Sequence, residues 1–236
     1  MGTRHFGPDH ASDGERGGAF FGRRKGKRLR PGHESLVETL LPALRIPDTG
    51  PVDPAALFPQ ARTYALEIGF GGGEHLAARA RAASETGFIG CEPFVNGMAK
   101  LLSIVEAEAL ANIRLWDQDA TELLPRLPDA SLREVVLLYP DPWPKRRQRK
   151  RRFVSDATLT EIARLLVPGG VFRFASDIDD YVGWTLARAL KQPALRWTAA
   201  RPHDWQEPFP GWPGTRYEAK ALREGRRPSY LTFERI

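Results

Sequence analysis

The chain has a single cysteine, Cys91, among its 236 residues. No disulfide can form within it and no cysteine-based zinc site can be built, which fits a reducing cytoplasm. No metal is expected. No apolar run approaches the ~18 residues of a membrane-spanning helix, so a membrane partner is not expected. The opening stretch MGTRHFGPDHASDGERGG carries basic residues but no apolar core, and does not read as a signal peptide. Internal repeats are absent. Acidic residues are the minority charge, 29 against 35 basic, giving a net charge of +6 and a pI of about 9.7. That balance suits a nucleic-acid partner or merely a well-solvated surface. Its placement along the chain decides between them.

Hydrophobic content of 42% supports a packed core, and the length suits one domain with a small extension. Residues 1–19 are rich in Gly, Asp and His without periodicity and read as a disordered leader. Residues 20–61 read as a basic extension and linker. Phe20 to Arg30 holds six Arg or Lys, Ser35 to Leu44 has helical spacing, and Ile46 to Ala61 carries four prolines and reads as a loop. From residue 62 to 236 a strand–helix rhythm predicts one α/β domain. Strands are expected at 63–68, 87–91, 112–116, 133–139, 171–175, 194–198 and 229–234. Helices are expected at 74–83, 96–109, 120–127, 156–166 and 181–190, the fourth stopping at Pro168-Gly169-Gly170. Residues 201–214, with four prolines and two tryptophans, read as a loop. Alternating strands and helices imply a doubly wound, parallel sheet.

The first strand runs into Leu66-Glu67-Ile68-Gly69-Phe70-Gly71-Gly72-Gly73-Glu74 and a helix start. Glycines let the backbone turn tightly and approach a ligand. A dinucleotide fingerprint would need Gly where Glu74 stands, and Glu74 would repel a pyrophosphate at that helix end. A ligand with a cationic part fits better, and S-adenosylmethionine is such a ligand. Glu67 beside Gly69 and Gly71 suits its positive groups. Glu92, 23 residues after Gly69, ends the second strand where a carboxylate commonly accepts from both ribose hydroxyls. Asp119 after the third strand suits the adenine amino group. Each carboxylate alone is more often a surface or capping residue; three at successive strand ends make a cofactor site.

The most informative stretch is Leu137 to Phe153, LLYPDPWPKRRQRKRRF. An apolar strand ends in Pro140-Asp141-Pro142-Trp143-Pro144, and seven of the next eight residues are basic. Ligands of open α/β sheets bind outside the carboxyl ends of strands, so a stiff acid-plus-aromatic turn beside a cationic track suggests chemistry on a polyanion.

PDPWPKRRQRKRR, with SD-x3-Y-x2-W at Ser176–Trp184, T-x-Y-E-x-K at Thr215–Lys220 and the basic FGRRKGKRLRPGHE near the N-terminus, resembles the bacterial tRNA (guanine-N(7)-)-methyltransferases, class I S-adenosylmethionine-dependent enzymes. The resemblance runs from about Phe20 to the C-terminus. It implies a Rossmann-like, mostly parallel sheet with an antiparallel C-terminal strand, and methyl transfer to N(7) of a tRNA guanosine, position 46 of the variable loop. It implies that Glu67, Glu92, Asp119 and Asp141 line the cofactor pocket, with Asp141 also catalytic. Lys145, Asp177, Thr215, Arg216, Tyr217 and Glu218 would contact the guanosine or nearby tRNA. It makes residues 20–61 an RNA-binding extension, and the protein a cytoplasmic monomer or homodimer. The family's usual His in the basic run is Gln148 here, which cannot titrate near neutrality.

Other roles stay open at single positions. Asp141 would also brace a turn through its own backbone, and Asp177 would also cap a helix near Asp179. Glu218 and Lys220 would also form a surface pair. Tyr181 and Trp184 sit at helical spacing and suit core packing, Trp143 suits base stacking or the core, and Cys91 suits a small buried apolar position. Two rival functions are weighed. An amine-directed nucleic-acid methyltransferase would need two prolines between its acid and its aromatic residue, and only Pro142 separates Asp141 from Trp143. A non-catalytic RNA-binding protein on the same fold would be expected to have lost the glycines or the acids, all of which are present.

Overall fold

The computed structural model describes Gly22 and residues 24–236. The leader read at residues 1–19 lies outside them. The chain opens with α1 (Pro31–Thr39) and α2 (Leu41–Leu44), then α3 (Pro54–Leu57), β1 (Thr63–Ile68), α4 (Glu74–Ala82), β2 (Thr86–Cys91), α5 (Val95–Glu108), β3 (Ile113–Trp116) and α6 (Ala120–Leu123). It continues with β4 (Leu132–Leu138), α7 (Asp156–Leu165), β5 (Leu166–Ser176), α8 (Asp179–Ala189), β6 (Leu195–Trp197), α9 (His203–Gln206), α10 (Arg216–Arg223) and β7 (Ser229–Arg235). Short 3-10 turns cover Leu124–Arg126 and Arg146–Arg151. No described helix is long and apolar enough to cross a membrane.

The seven strands form one sheet in the order β3-β2-β1-β4-β5-β7-β6. β1 pairs in parallel with β2 and β4, and β7 runs antiparallel to both β5 and β6. This is the expected α/β class, mostly parallel with a reversed C-terminal strand. The strand order turns back at β1 and β4, so a crevice opens beyond their carboxyl ends. Both sheet faces are covered, which is why the strands read as near-continuous apolar runs. On one face Leu66, Ile68, Trp116, Leu137, Phe174 and Tyr181 pack with α7 and α8. On the other, Ala65, Phe70, Leu76, Met98, Leu101 and Leu115 pack with α1, α4 and α5. Cys91 is buried, and burial pushes its thiol well above the ordinary range. Tyr181 and Trp184 belong to the core, as their spacing suggested.

Several elements differ from the sequence expectation for physical reasons. The helix read at Ser35 to Leu44 is two helices, because Pro42 has no N–H to continue the first. The two proline-rich stretches read as loops each contain one helical turn, α3 with Asp53 as its N-cap and α9. Pro168-Gly169-Gly170 does not stop a helix. α7 has already ended at Leu165, and Leu166 pairs with Leu132 at the start of a long, irregular β5. There the Pro-Gly-Gly unit takes up a register shift, with Gly169 at φ 73°. A further difference is α10, which begins at a Thr215–Glu218 capping box.

Gly97, in the first turn of α5, sets the distance between that helix and the glycine loop. A Cβ there would stand 2.1 Å from the Gly71 carbonyl oxygen, backbone against backbone. Gly97→Ala should therefore cost about 1–3 kcal/mol of stability. Gly183→Ala, on the exposed face of α8 with nothing within 4 Å of its Cβ, should instead stabilise by about 0.5–1 kcal/mol. Denaturant unfolding of the two variants checks both signs.

Candidate functional site

The loop after β1 alternates left-handed backbone at Gly69 (φ 70°), Gly71 (φ 60°) and Gly73 (φ 80°). At Gly69 the need for glycine is conformational alone, since a Cβ would meet nothing within 4 Å. The loop is held by Glu92. One carboxylate oxygen accepts from the Gly71 N–H at 2.8 Å and the other from the Phe94 N–H at 2.9 Å. Burial raises the Glu92 pKa above the ordinary carboxylate range despite both bonds, and the nearby charge of Asp141 adds to the rise while Arg216 opposes it. Glu67, on β1, is also buried. Its carboxylate meets His75 Nδ1 at 2.7 Å.

Asp119 is the N-cap of α6, with Oδ1 accepting from the Thr121 N–H at 2.9 Å. It stands beyond β3, as expected, and the capping role weighed for such carboxylates is real.

The turn after β4 is strained. Tyr139 and Trp143 both take left-handed backbone, φ 47° and 40°, although neither is glycine. Contacts among the described residues hold it there. The Tyr139 N–H donates to the Ala175 carbonyl at 2.7 Å, Arg152 Nε donates to the Pro142 carbonyl at 2.8 Å, and the Arg151 guanidinium lies 5.0 Å above the Trp143 ring. The Trp143 ring is thus partly occupied by a cation–π contact. Asp141 itself is exposed and makes no hydrogen bond with the described residues. It does not brace the turn. Its charge is felt by Glu92 and by Tyr181, whose hydroxyl is pushed up to about 12, mainly by burial.

The basic run divides in two. Lys145, Arg146, Arg147 and Lys150 are exposed. Arg152 is buried, paired with Asp180 and packed over Tyr181 (4.8 Å) and Trp184 (5.1 Å). Arg149 also pairs with Asp180, at 2.7 Å. Arg152 is therefore a strut under the turn. The cationic track read after the turn is therefore not uniform toward a polyanion, because at Arg152 a planar guanidinium packed on two rings and bonded to a carbonyl and a carboxylate is already used within the protein.

The C-terminal segment closes the cleft. Thr215 caps α10, and Arg216 and Tyr217 reach over Gly71, their side chains joined at 2.9 Å. A small hollow lies between this helix start and the glycine loop, lined by Glu67, Gly69, His75, Leu138, Arg216 and Tyr217 among others. Glu218 does not face it. Its carboxylate is buried and accepts from Tyr230 Oη and from Trp212 Nε1 at 2.7 Å. Lys220 pairs with Glu224 instead, at 3.9 Å, so the surface pair with Glu218 is not formed. Asp177 pairs with Arg226 Nε at 2.5 Å, and the N-cap of α8 is Ile178, so Asp177 is not a cap.

The fold brings Glu67, Gly69, Thr215, Arg216 and Tyr217 to one hollow, with Gly71, Glu92 and Asp141 beside it. Asp119 and Asp177 stand at the ends of β3 and β5, and Lys145 stands exposed at the start of its 3-10 turn. Sequence reasoning missed His75, whose ring lies 4.9 Å from that of Trp212. It also missed Gly97, Trp212 and Arg226. His75 alone carried a signal, as a titratable residue one place into the helix after the glycines.

A family model described as "Putative methyltransferase" matches residues 61–230. A curated tRNA (guanine-N(7)-)-methyltransferase of Rhizobium meliloti (strain 1021) is 58% identical over 220 residues, 92% of this chain and 95% of that one. One from Chelativorans sp. (strain BNC1) is 53% identical over the full length of both chains. Among solved structures, a 16S rRNA methyltransferase, KamB, superposes with a TM-score of 0.55 at 18% identity, covering 89% of this chain and 97% of the other, a likeness of fold. With a model that spans most of the chain and relatives this similar end to end, the chain belongs to the tRNA (guanine-N(7)-)-methyltransferase family.

Proposed function

We propose that this protein transfers the methyl group of S-adenosylmethionine to N(7) of a tRNA guanosine, position 46 of the variable loop, in the cytoplasm, as a monomer or homodimer. The observation that carries the site assignment is the strained Tyr139–Trp143 turn, which presents Asp141, without a hydrogen-bonding partner among the described residues, at the sheet's switch point, beside the loop that Glu92 holds.

The residues present fit the cofactor. The loop after β1 is built of glycines, and the buried carboxylates of Glu67, Glu92 and Asp119 are of the chemistry that accepts from hydroxyl, amino and cationic groups. Glu67, Gly69, Gly71 and Glu92 would hold it, with Asp119 toward the adenine and Asp141 at its reactive end. Bound S-adenosylmethionine supplies an electrophilic methyl carbon on a sulfonium. The protein's own task is orientation. Guanine N(7) has an in-plane lone pair and gives up no proton, so no strong general base is required. The methylated base is cationic, and Asp141 stabilises that charge as it develops. A carboxylate can also accept from the two donor groups of the guanine Watson–Crick edge and so select G over A. Asp177, Lys145, Thr215, Arg216 and Tyr217 would position the base and its neighbours. Glu218 acts from behind them, holding the helix start that carries Arg216 and Tyr217. Residues 20–61 form an RNA-binding extension. Its exposed cations, together with Lys145, Arg146, Arg147 and Lys150, would meet phosphates and give affinity and register.

The direct test is methyl transfer from labelled S-adenosylmethionine to unmodified tRNA, with the modified nucleoside identified. The expected product is 7-methylguanosine. Asp141→Ala should lose about 10²-fold or more in turnover with its unfolding midpoint unchanged. Label on an exocyclic amine would instead establish the amine-directed rival.

The raised pKa of Glu92 has a consequence for binding. Ribose hydroxyls donate to the ionised carboxylate, so binding favours the deprotonated form, and cofactor affinity should fall by about tenfold per pH unit below that pKa. Calorimetric titration across the acidic range reads this. Glu92→Gln should bind weakly and flatten the profile. Binding of tRNA should weaken with salt by roughly 0.7–0.9 log units per log unit of salt for each phosphate neutralised. A flat response would sink the assignment of the basic surface.

A further inference from the structure

Among the described residues, the first part of the basic extension, Arg24 to Lys27, is tied to the start of α5 through the Asn96 side chain and a backbone bond, ahead of α1, which packs on the sheet. Asn96, in the first turn of α5, accepts from the Gly26 N–H at 2.7 Å through Oδ1 and donates to the Lys27 carbonyl at 2.7 Å through Nδ2. The neighbouring Val95 N–H donates to the Arg24 carbonyl at 3.0 Å. A primary amide thus meets one donor and one acceptor of the extension. The fit is close: a Cβ on Gly26 would stand 2.8 Å from Asn96 Oδ1 and 2.8 Å from the Phe94 ring, so one of these side chains would have to move and the Asn96 bond with it. Around this point Arg24, Lys25, Lys27, Arg28 and Arg30 are all exposed.

The start of α5 also borders the glycine loop after β1. The Phe94 N–H is one of the two donors on Glu92, and Gly97 rests on the Gly71 carbonyl. The extension is therefore referenced to the glycine loop through three consecutive residues, Val95 to Gly97.

We propose that Asn96 is a positioning residue for tRNA, a clamp that sets the register of the basic extension relative to the methyl-transfer site. The proposal rests on the reading that tRNA is the substrate. An extension already held in place loses less conformational freedom on binding than a loose one. Its cations then stand at a constant offset from the cleft, which matches phosphates flanking one nucleotide. Asn96 touches neither cofactor nor base. Its effect is on affinity for tRNA, not on the chemical step.

The test compares the full-length wild type with Asn96→Ala, Gly26→Ala and the double variant. Methyl-transfer kinetics, S-adenosylmethionine binding and tryptic cleavage between Arg24 and Arg30 are measured on each. The KM for tRNA should rise by roughly fivefold to tenfold in either single variant, the scale of one or two lost hydrogen bonds. The double variant should be no worse than the singles, because both break one docking. Turnover at saturating tRNA and affinity for S-adenosylmethionine should stay at wild-type values, and trypsin should cut the extension faster. Gly26→Ala lies outside the sheet and keeps the test valid if Asn96→Ala folds poorly. A wild-type KM for tRNA in Gly26→Ala, additive losses, or an equal loss in S-adenosylmethionine affinity would overturn the clamp. A wild-type protein that forms no 7-methylguanosine would overturn the underlying reading instead, and the two failures are distinguishable.

Discussion

The buried carboxylate of Glu92 is the constraint on which the site depends. It stands at the end of β2 and accepts from two backbone N–H groups that belong to different elements, Gly71 in the loop after β1 and Phe94 at the entry to α5. A loop with three left-handed glycines has little conformational preference of its own. A charge-assisted pair of hydrogen bonds supplies the missing definition, and it does so in a poorly solvated place where such bonds are strong. Burial makes the ionised form costly, and the two donors return part of that cost. Remaining acceptor capacity is what a ribose would use. Removing this carboxylate would free the glycine loop and the start of α5 together.

The second organising element is a division of labour among cations. The chain carries excess positive charge, yet the residues with the strongest structural role among them are turned inward. Arg152 spans the Pro142 carbonyl and Asp180 while lying on Tyr181 and Trp184. This geometry uses the planar fork and the flat faces of a guanidinium at once, which a lysine cannot reproduce. It keeps the Tyr139–Trp143 backbone in a conformation that costs energy, and so leaves Asp141 pointing at solvent. The exposed cations of the same run are then available to RNA.

A chain of side chains ties the last part of the sequence to the first strand. Tyr230 on β7 donates to Glu218, Glu218 accepts from Trp212, the Trp212 ring lies against His75, and His75 meets Glu67 on β1. The helix start bearing Arg216 and Tyr217 is thus tied, through Glu218 and Trp212, to His75 and Glu67 on the opposite wall of the hollow. The buried Glu218 is an organiser of the wall, a role that its place in a T-x-Y-E-x-K motif does not reveal.

Much was legible in the sequence. The strand–helix alternation, the glycines after the first strand and an acid at the end of each later strand are local patterns, and local patterns follow from backbone preference and burial period. They were sufficient for the sheet class and for Glu67, Glu92, Asp119 and Asp141 as candidates, and the motifs were sufficient for the family. What only the tertiary structure decided is which of several identical residue types faces which way. Arg152 and Lys150 lie two places apart in one basic run, and one is a buried strut while the other is exposed. Glu218 looks like a surface acid until β7 brings Tyr230 to it. Asn96 and Gly97 carry no signal of partnership, because Gly26 and Gly71 reach them across 70 and 26 residues of chain. Such pairings depend on how separate elements pack, and no spacing along the sequence encodes that.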